Sequence, residues 1–445
     1  MKTIQTSLMI AGFLILFSGF TVKAQSKIWT LEECINHALS KNIQIQKTGL
    51  TNDRNQLYSD QARANRLPSV NASVRENLNW YKGFDSTTGS YGSSSGANST
   101  NYSLNSSVSL YNGQKLTNKI KMAELDVQSG HLYSETVKES VGLNILNAYL
   151  QVLYAYESVS NAEKQIVSTT EQLNLSKERM DLGVISMSDY LQIKSQLAAE
   201  KSILASAQSQ LSMGKVTLMQ LMELPVDANF EVSSPNLDSL LIESATPDAL
   251  EIYNLALGIK PQIKNAELTK ESALLYVKIA KADALPSLSM DAGLSTGYSS
   301  LTTNSGYTNQ LKDKVNPSVG LSLSIPIFQK KQIKTNVAIA NILVSDAELD
   351  EINTRNELRK NIEQACADAV SAESQYAASQ EQNQSTQESY DVTTEKYKQG
   401  LLNSVDFLIQ KTNLITSESN LLQSKFNVIF SYKVLDFYKG IPLTL

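Results

Sequence analysis

The sequence has few of the residues from which most metal sites and active sites are built. Among 445 residues there are two cysteines and two histidines, and no spacing of His, Cys, Asp and Glu suggests a metal site. One disulfide between Cys34 and Cys366 is possible in an exported protein, but we expect two buried free thiols. The sequence lacks a P-loop and a dinucleotide fingerprint, so it predicts neither a cofactor nor a catalytic function.

Long apolar runs are also missing beyond the N-terminus. Residues 8–20 form an apolar run after Lys2 and precede small residues, which predicts a cleaved signal peptide at residues 1–24. No later run approaches about 18 apolar residues, so a membrane crossing would have to use strands. Acidic groups outnumber basic ones, 44 to 39. An acidic balance does not suit a nucleic-acid-binding protein.

What the sequence does contain is an internal repeat with an offset of 217 residues. Apolar residues fall seven apart in each half: Tyr190, Leu197, Leu204, Leu211 and Leu218, then Phe407, Leu414, Leu421, Val428 and Leu435. The turn before each series repeats too, because Gly183, Asp189 and Leu191 correspond to Gly400, Asp406 and Leu408. The chain is therefore two copies of one long helical hairpin, which favours a structural rather than a chemical task.

Each copy has the same order of predicted elements: helix, strand, strand, long helix and return helix. Repeat 1 covers residues 25–222 with a hairpin at 114–222, and repeat 2 covers residues 248–445 with a hairpin at 330–438. Shorter helices at residues 31–65 and 248–283 precede the strands, and residues 223–247 form an irregular connector. The fold class is mainly α with a small β part.

Four segments alternate between apolar and polar residues and predict strands. They lie at about residues 68–82, 102–112, 286–298 and 315–328. Between the members of each pair, residues 85–101 and 299–314 are rich in Gly, Ser, Thr and Asn, and we expect mobile, exposed loops there. Residues 92–96 match the G-x-S-x-G motif of hydrolases, but without the strand and helix that this motif requires.

Four strands cannot close a transmembrane barrel, because known barrels begin at about eight strands and lipid does not tolerate open sheet edges. The chain must therefore oligomerise to cross a membrane. A trimer supplies twelve strands, although the residues alone leave a dimer or a tetramer open.

Over the whole mature chain, the doubled element order and the two turns resemble the TolC family of outer-membrane channels. The turns are residues 179–186 and 396–403, followed by Asp189-Tyr190-Leu191 and Asp406-Phe407-Leu408. The resemblance implies a homotrimer with a 12-stranded β-barrel surrounded by outer-membrane lipid and a long periplasmic α-helical barrel. It also implies two kinds of partner, a periplasmic adaptor (membrane fusion) protein and an inner-membrane transporter of the RND, ABC or MFS type.

The same resemblance assigns roles to residues at the turns. The adaptor-docking tip comprises Gly183, Val184, Ile185, Ser186, Gly400, Leu401, Leu402 and Asn403, and the pore gate comprises Asp406, Tyr397 and Asp189. Two positions depart from relatives: Ile409 replaces a second gate acid, and Leu402 replaces a tip arginine. From the residues alone, both glycines are also ordinary helix C-caps, and both aspartates also suit a helix start.

Three functions remain from this reasoning. A passive outer-membrane exit duct of a tripartite efflux pump or type I secretion system is favoured. An exported coiled-coil scaffold or adhesin explains the helices but gives the strands no purpose, and a hydrolase using Ser94 is the least favoured.

Overall fold

The computed structural model describes residues 27–235 and 247–445, so the predicted signal peptide at residues 1–24 lies outside it. The chain divides into two compact units. The hairpin unit contains the described residues up to Ile45 together with Lys138–Ala256 and Asn361–Leu445, and the sheet unit contains Gln46–Val137 and Leu257–Lys360. The fold is mainly helical with a small strand part, as predicted.

The described ranges contain nine helices and six strands. The helices are α1 Leu31–Lys41, α2 Ile43–Ala64, α3 Lys115–Asp181, α4 Met187–Leu221, α5 Ala249–Ile259, α6 Pro261–Ala282, α7 Tyr307–Asp313, α8 Gln332–Lys398 and α9 Ser404–Lys439. The strands are β1 Ile28–Trp29, β2 Ser69–Asp85, β3 Ser90–Tyr111, β4 Glu231–Val232, β5 Ser287–Ser299 and β6 Asn316–Ser324. Among the helices described here, none is both long enough and apolar enough to cross a membrane.

The two long hairpins run from Lys115 to Leu221 and from Gln332 to Lys439. Helices α3 and α8 contain 67 residues each and end at Asp181 and Lys398. Their return helices α4 and α9 contain 35 and 36 residues. The heptad positions are buried or half-buried, with Phe407 and Leu218 among the most completely buried side chains. The apolar heptads therefore form packing surfaces, and they account for the stability of helices that long.

The two shorter helical segments are each broken, which the sequence analysis did not predict. Between α1 and α2 the backbone leaves the helical region at Asn42, whose Oδ1 accepts from Gln44 N at 2.9 Å. Between α5 and α6 the break falls at Lys260, and Pro261 occupies the first position of α6. Asn42 starts a new helix with its side chain, and Pro261 cannot continue the preceding one.

All four predicted strand segments belong to one antiparallel sheet with the order β2-β3-β5-β6. The central pair β3 and β5 joins the two repeats, with Leu104 opposite Leu294. The outer strands β2 and β6 are the two edges. Val319, Leu321 and Leu323 lie on one face of β6 and are exposed, so this edge carries an apolar surface that the single chain leaves uncovered.

The first predicted loop is wrong. Residues 90–101, expected to be a mobile loop, extend β3 and pair with β2 as far as Ser90 opposite Asp85. Backbone pairing needs no apolar side chains, and the few aromatic residues stabilise the pairing across the strands. Trp80 faces Gly96, where an added Cβ would lie 3.2 Å from the indole Nε1, and Phe84 contacts Tyr91 with ring centroids 5.2 Å apart.

The second predicted loop also contains regular structure. Within residues 299–314, α7 packs on β5 through Gln310, which is almost completely buried. The Gln310 side chain accepts from Ser299 N at 3.0 Å and contacts the carbonyl oxygens of Ser299, Thr302 and Ser305 at 2.9 to 3.2 Å. One buried amide therefore organises the turn, which polar composition alone does not reveal.

The predicted irregular connector includes a short strand. In residues 223–247, of which 236–246 lie outside the described ranges, β4 pairs in parallel with β1. Tyr149 Oη donates to the carbonyl oxygen of Ser233 at 2.6 Å and lies 3.2 Å from that of Trp29. This hydroxyl fastens the start of the described chain and the connector to α3. Both cysteines, Cys34 and Cys366, are buried and free, as expected.

Candidate functional site

The candidate site consists of the two helix-to-helix turns of the hairpin unit. A glycine follows the end of the long helix in each turn. Gly183 and Gly400 have φ angles of 73° and 74°, in the left-handed region that side chains with a Cβ disfavour. At the first turn Gly183 N donates to Met180 O at 2.9 Å and Val184 N donates to Arg179 O at 2.9 Å. This pair of hydrogen bonds is the Schellman arrangement, which ends a helix by satisfying its last carbonyl groups.

The second turn has the same backbone. Gly400 N donates to Tyr397 O at 3.1 Å, and Leu401 N donates to Lys396 O at 2.9 Å. An added Cβ at Gly183 or Gly400 would meet no atom within 4 Å. Both glycines are therefore required by backbone conformation and not by crowding within the chain.

The return helices start with side-chain caps. Ser186 Oγ accepts from Asp189 N at 3.2 Å, and Asp189 Oδ2 accepts from Ser186 N at 3.2 Å, which is a reciprocal capping box. At the second turn Asn403 Oδ1 accepts from Asp406 N at 2.8 Å, and Asn403 Nδ2 donates to Asp406 Oδ2 at 3.0 Å. Asp189 therefore caps the start of α4, whereas Asp406 at the corresponding position orients Asn403, the residue that caps α9.

The turns carry apolar side chains that no other part of the hairpin unit covers. Leu182, Val184 and Leu401 are 79%, 65% and 71% exposed, whereas Ile185 and Leu402 are half-buried. Leu402 packs against a buried cluster formed by Ile193, Tyr397 and Phe407. Each turn thus presents an apolar end, and the second turn is packed against this cluster through Leu402.

Tyr397, predicted at the gate, lies inside this cluster. Its ring stacks on Phe407 with centroids 4.6 Å apart, and its hydroxyl has no hydrogen-bond partner among the described residues. Burial raises the pKa of Tyr397 above its ordinary value. The structure therefore places the ring as a packing element under the tip and does not join its hydroxyl to Asp189.

Asp189 is instead held by the second hairpin. Ser404 Oγ donates to Asp189 Oδ1 and also lies 2.6 Å from Gln192 Oε1. The hydrogen bonds from Ser404 and then Ser186 hold the pKa of Asp189 below its ordinary value. Asp406, by contrast, is exposed. The two gate aspartates are thus in different surroundings: one joins the hairpins, and the other faces open space in the single chain.

Arg179 and Ser404 join the two turns, although neither was predicted from the sequence to have a role. Arg179 Nη1 donates to Tyr397 O at 2.8 Å, and Nη2 donates to Lys398 O. The guanidinium therefore caps the last carbonyl groups of α8 from the first hairpin. The only available signal was an arginine in the last turn of a helix, which is too common to indicate a contact between repeats.

Comparison with known proteins agrees with this architecture. The model of the family described as outer membrane efflux protein matches residues 34–223 and 252–435. No curated protein sequence matches the chain. Among solved structures, the Campylobacter jejuni CmeC outer membrane channel is 19% identical with a TM-score of 0.77, covering 92% of this chain and 85% of that one.

Two further structures are similar over nearly the whole chain. The Neisseria gonorrhoeae MtrE outer membrane channel, in its open state, is 18% identical with a TM-score of 0.74, covering 92% of this chain and 88% of the other. A membrane protein from Pseudomonas aeruginosa is 17% identical with a TM-score of 0.78, covering 94% and 92%. At these identities the similarity demonstrates a shared fold.

Proposed function

We propose that this chain, which belongs to the outer membrane efflux protein family, is the passive exit duct of a tripartite efflux pump or a type I secretion system. As a family member it is an outer-membrane efflux protein and not an enzyme. Its proposed partners are two further copies of itself, a periplasmic adaptor and an inner-membrane transporter of the RND, ABC or MFS type. Because the duct is passive, the transporter supplies the energy.

The observation that carries the proposal is the pair of rigid apolar turns. Leu182, Val184 and Leu401 expose most of their side chains, on a backbone fixed by two Schellman caps and two side-chain caps. Apolar groups that are held in place bind a partner without loss of local conformational entropy. We assign them, with Gly183, Ile185, Ser186, Gly400, Leu402 and Asn403, to docking of an adaptor.

The sheet supports the trimer. Strands β2 and β6 are open edges in the single chain, and lipid does not tolerate unpaired backbone groups. If β6 of one copy pairs with β2 of the next, three copies form a closed barrel of twelve strands whose exposed face includes Val319, Leu321 and Leu323. This face then contacts the lipid of the outer membrane.

In the trimer, Asp406 contributes one carboxylate per chain, and we assign these three carboxylates to the pore gate. A ring of like charges in a narrow entrance attracts cations, since low-dielectric walls focus the field. With Ile409 one turn further along, the chain supplies one acidic ring. Asp189 and Tyr397 contribute indirectly, because they hold the first hairpin and the base of the tip in place.

The experiment that tests this function combines fractionation with cross-linking. The protein should be extracted from the outer membrane as a heat-modifiable trimer, and Cys at Val184 or Leu401 should cross-link to an adaptor. Cys at Ile203, an exposed position of α4 away from the turn, is the matched control and should not cross-link. A soluble periplasmic monomer would rule out the proposed duct, and equal cross-linking from Ile203 would rule out docking at the turns.

A further inference from the structure

The segment between β6 and α8 combines apolar and basic side chains that are exposed in the single chain. It comprises residues 325–331, and we call it the β6–α8 connector. Ile327 and Phe328 are 94% and 78% exposed. Lys330 and Lys331 come shortly after them and are exposed as well. The connector therefore changes from apolar to basic within a few residues, without being covered by the chain to which it belongs.

The apolar part continues the exposed face of β6, on which Val319, Leu321 and Leu323 lie. The connector extends the same alternation by two more apolar residues and ends it with Phe328. From Val319 to Phe328 the chain has ten residues, and a tilted strand needs about 9 to 11 residues to cross a bilayer. If β6 crosses a membrane, the hydrocarbon region thus ends near Phe328, and aromatic side chains are common at that boundary.

The basic part has no acidic counterpart nearby in the sequence. Lys334 follows Lys331 in α8, and no acidic residue occurs between Asp313 and Asp346. Among the residues that the structure describes, none forms an ion pair with Lys330, Lys331 or Lys334. Three positive charges next to the apolar face are therefore without a partner in the described part of the chain.

The backbone of the connector does not favour lysine. Lys330 and Lys331 have φ angles of 45° and 66°, and Gln332 N donates to Gln329 O at 2.8 Å. Positive φ at both central positions is typical of a type I′ turn, for which Asn and Gly are the usual residues. A side chain with a Cβ is strained in this conformation. Two consecutive lysines thus lower the stability of the turn while they place two charges there.

The first repeat makes the same turn with other residues. The offset of 217 residues relates Lys330 and Lys331 to Gly113 and Gln114, whose φ angles of 64° and 67° are also positive. Gly113 is buried, and Gln114 is exposed but uncharged. The change of direction from strand to helix therefore does not need lysine.

The surroundings of the two turns differ as well. An added Cβ at Gly113 would lie 2.9 Å from Leu285 Cδ1, so the first turn packs closely against the chain itself. The lysine at the end of that turn, Lys115, is paired with Asp283. The second turn has neither feature among the described residues, because its two lysines are exposed and unpaired there. It is open to a partner of opposite charge from outside the chain.

We propose that the β6–α8 connector binds the phosphate group of an anionic phospholipid in the periplasmic leaflet of the outer membrane. This inference rests on the proposed trimeric duct, in which the long helices are periplasmic, so the end of β6 that leads into α8 lies at that leaflet. Lys330 and Lys331 donate to the phosphate oxygens, and Ile327 and Phe328 contact the acyl chains. A soluble phosphate compound would leave these two apolar side chains in water, so the fitting source of the phosphate is a lipid.

Lipid binding by the purified trimer tests this site. The trimer in a neutral detergent is titrated with phosphatidylglycerol or phosphatidylcholine, and the bound lipid is counted by native mass spectrometry. Lys330→Gln/Lys331→Gln should bind phosphatidylglycerol about thirtyfold more weakly than the wild type, which is the effect of two basic residues near anionic lipid. Phosphatidylcholine binding should not change. Lys330→Arg/Lys331→Arg keeps both charges and should bind phosphatidylglycerol like the wild type.

A matched control removes two lysines elsewhere. Lys194 and Lys201 are exposed residues of α4, and Lys194→Gln/Lys201→Gln should bind phosphatidylglycerol like the wild type. An equal loss of binding in this control would show a general attraction to surface charge and would refute the connector as a site.

A further variant separates lipid binding from the stability of the turn. Lys330→Asn/Lys331→Gly gives the turn the residues that its backbone prefers, so its trimer should be at least as heat-stable as the wild type in detergent. In vesicles, adding phosphatidylglycerol to phosphatidylcholine in equal parts should raise the heat-dissociation temperature of the wild-type trimer but not that of this variant. The same rise in both proteins would overturn the proposed site.

The outcomes distinguish this site from the duct itself. If the wild type does not purify from the outer membrane as a trimer, the proposed duct fails, and the lipid site fails with it. If trimers form but Lys330→Gln/Lys331→Gln binds phosphatidylglycerol like the wild type, the duct stands and the connector is not a lipid site. If glycerol phosphate, which has no acyl chains, displaces phosphatidylglycerol at equal concentration, the contacts of Ile327 and Phe328 contribute nothing and the assignment to a lipid is wrong.

Discussion

Replacing Gly400 separates the stability of the tip from its binding function. The φ angle of 74° costs a residue with a Cβ about 1 to 2 kcal/mol, and nothing lies within 4 Å of the added Cβ. Gly400→Ala should therefore destabilise each chain only by this cost of the left-handed backbone conformation. Asn tolerates the left-handed conformation better than Ala does, so Gly400→Asn should cost less.

Gly400→Trp should have nearly the same stability as Gly400→Ala, because the space around the Cβ is open in both cases. The indole would, however, stand among the apolar side chains proposed to dock the adaptor, next to Leu401. We therefore expect Gly400→Trp to abolish transport and adaptor cross-linking, and Gly400→Ala to retain both.

The assay measures trimer yield and the heat-dissociation temperature of detergent-extracted protein, then adaptor cross-linking and export in cells. The same three substitutions at Gly183, where φ is 73°, provide a replicate within the chain. Normal export and cross-linking with Gly400→Trp would refute the docking assignment. If Gly400→Trp were much less stable than Gly400→Ala, crowding as well as backbone conformation would disfavour a side chain at this position.

Three other predictions concern the lipid face, the gate and the capping carboxylate. Leu321→Lys should lower the free energy of unfolding, measured in lipid vesicles, by about 2 to 4 kcal/mol, as expected for a cation on a lipid-facing strand near the bilayer midplane. Ser322→Lys, on the opposite face, should lower it clearly less. Asp406→Ala should remove most of the block that hexaamminecobalt, added on the periplasmic side, causes in planar-bilayer conductance, and unchanged block and cation selectivity would restrict Asp406 to helix capping. Because the pKa of Asp189 is lowered in the folded state, its ionised form should stabilise the fold above the ordinary Asp value of about 3.9 and lose that contribution as pH falls through the lowered pKa. The melting temperature of Asp189→Asn should thus lie below that of the wild type at neutral pH and approach it in acid. A difference in melting temperature that stays constant with pH would contradict the lowered pKa of Asp189.

The helical hairpins were predictable because their signals are local and periodic. An apolar residue every seven positions determines which side of α4 or α9 is buried. A glycine after a long run without proline marks the point at which the helix must end, and α3 and α8 end at Asp181 and Lys398, just before Gly183 and Gly400. The repeat strengthened both conclusions, since each feature occurs twice in the same register.

The parts that were missed depend on contacts between distant residues. The extension of β3 follows from pairing with β2 and from aromatic contacts across the strands, such as Trp80 over Gly96. The order of α7 depends on one buried amide, Gln310. The break at Pro261 was also missed, although it needed no distant contact to be recognised. Proline cannot continue a preceding helix, so the sequence itself indicates a break there.

Lys411 of α9 and Glu200 of α4 form a buried ion pair, with Nζ 3.5 Å from Oε1, and only one member of this pair had a signal in the sequence. Glu200 lies three residues after the heptad residue Leu197, at a position where an apolar residue is expected. A buried acid there requires a partner, but nothing local identifies Lys411, which lies 211 positions further along the chain. The partner became evident only from the packing of α9 against α3 and α4.

Duplication of the hairpin has different consequences for docking and for gating. Both turns have the same backbone, since Gly183 and Gly400 differ by one degree in φ, so a trimer would present six similar turns to its adaptors. The side chains beneath those turns do not repeat. Asp189 is held by Ser404 while Asp406 is exposed, and the 217-residue offset puts Ser417 at the position that corresponds to Glu200. We therefore expect the two turns with their common backbone to serve docking, and Asp406 to serve gating. A substitution in the turn backbone should therefore affect docking first, and a substitution of Asp406 should affect passage first.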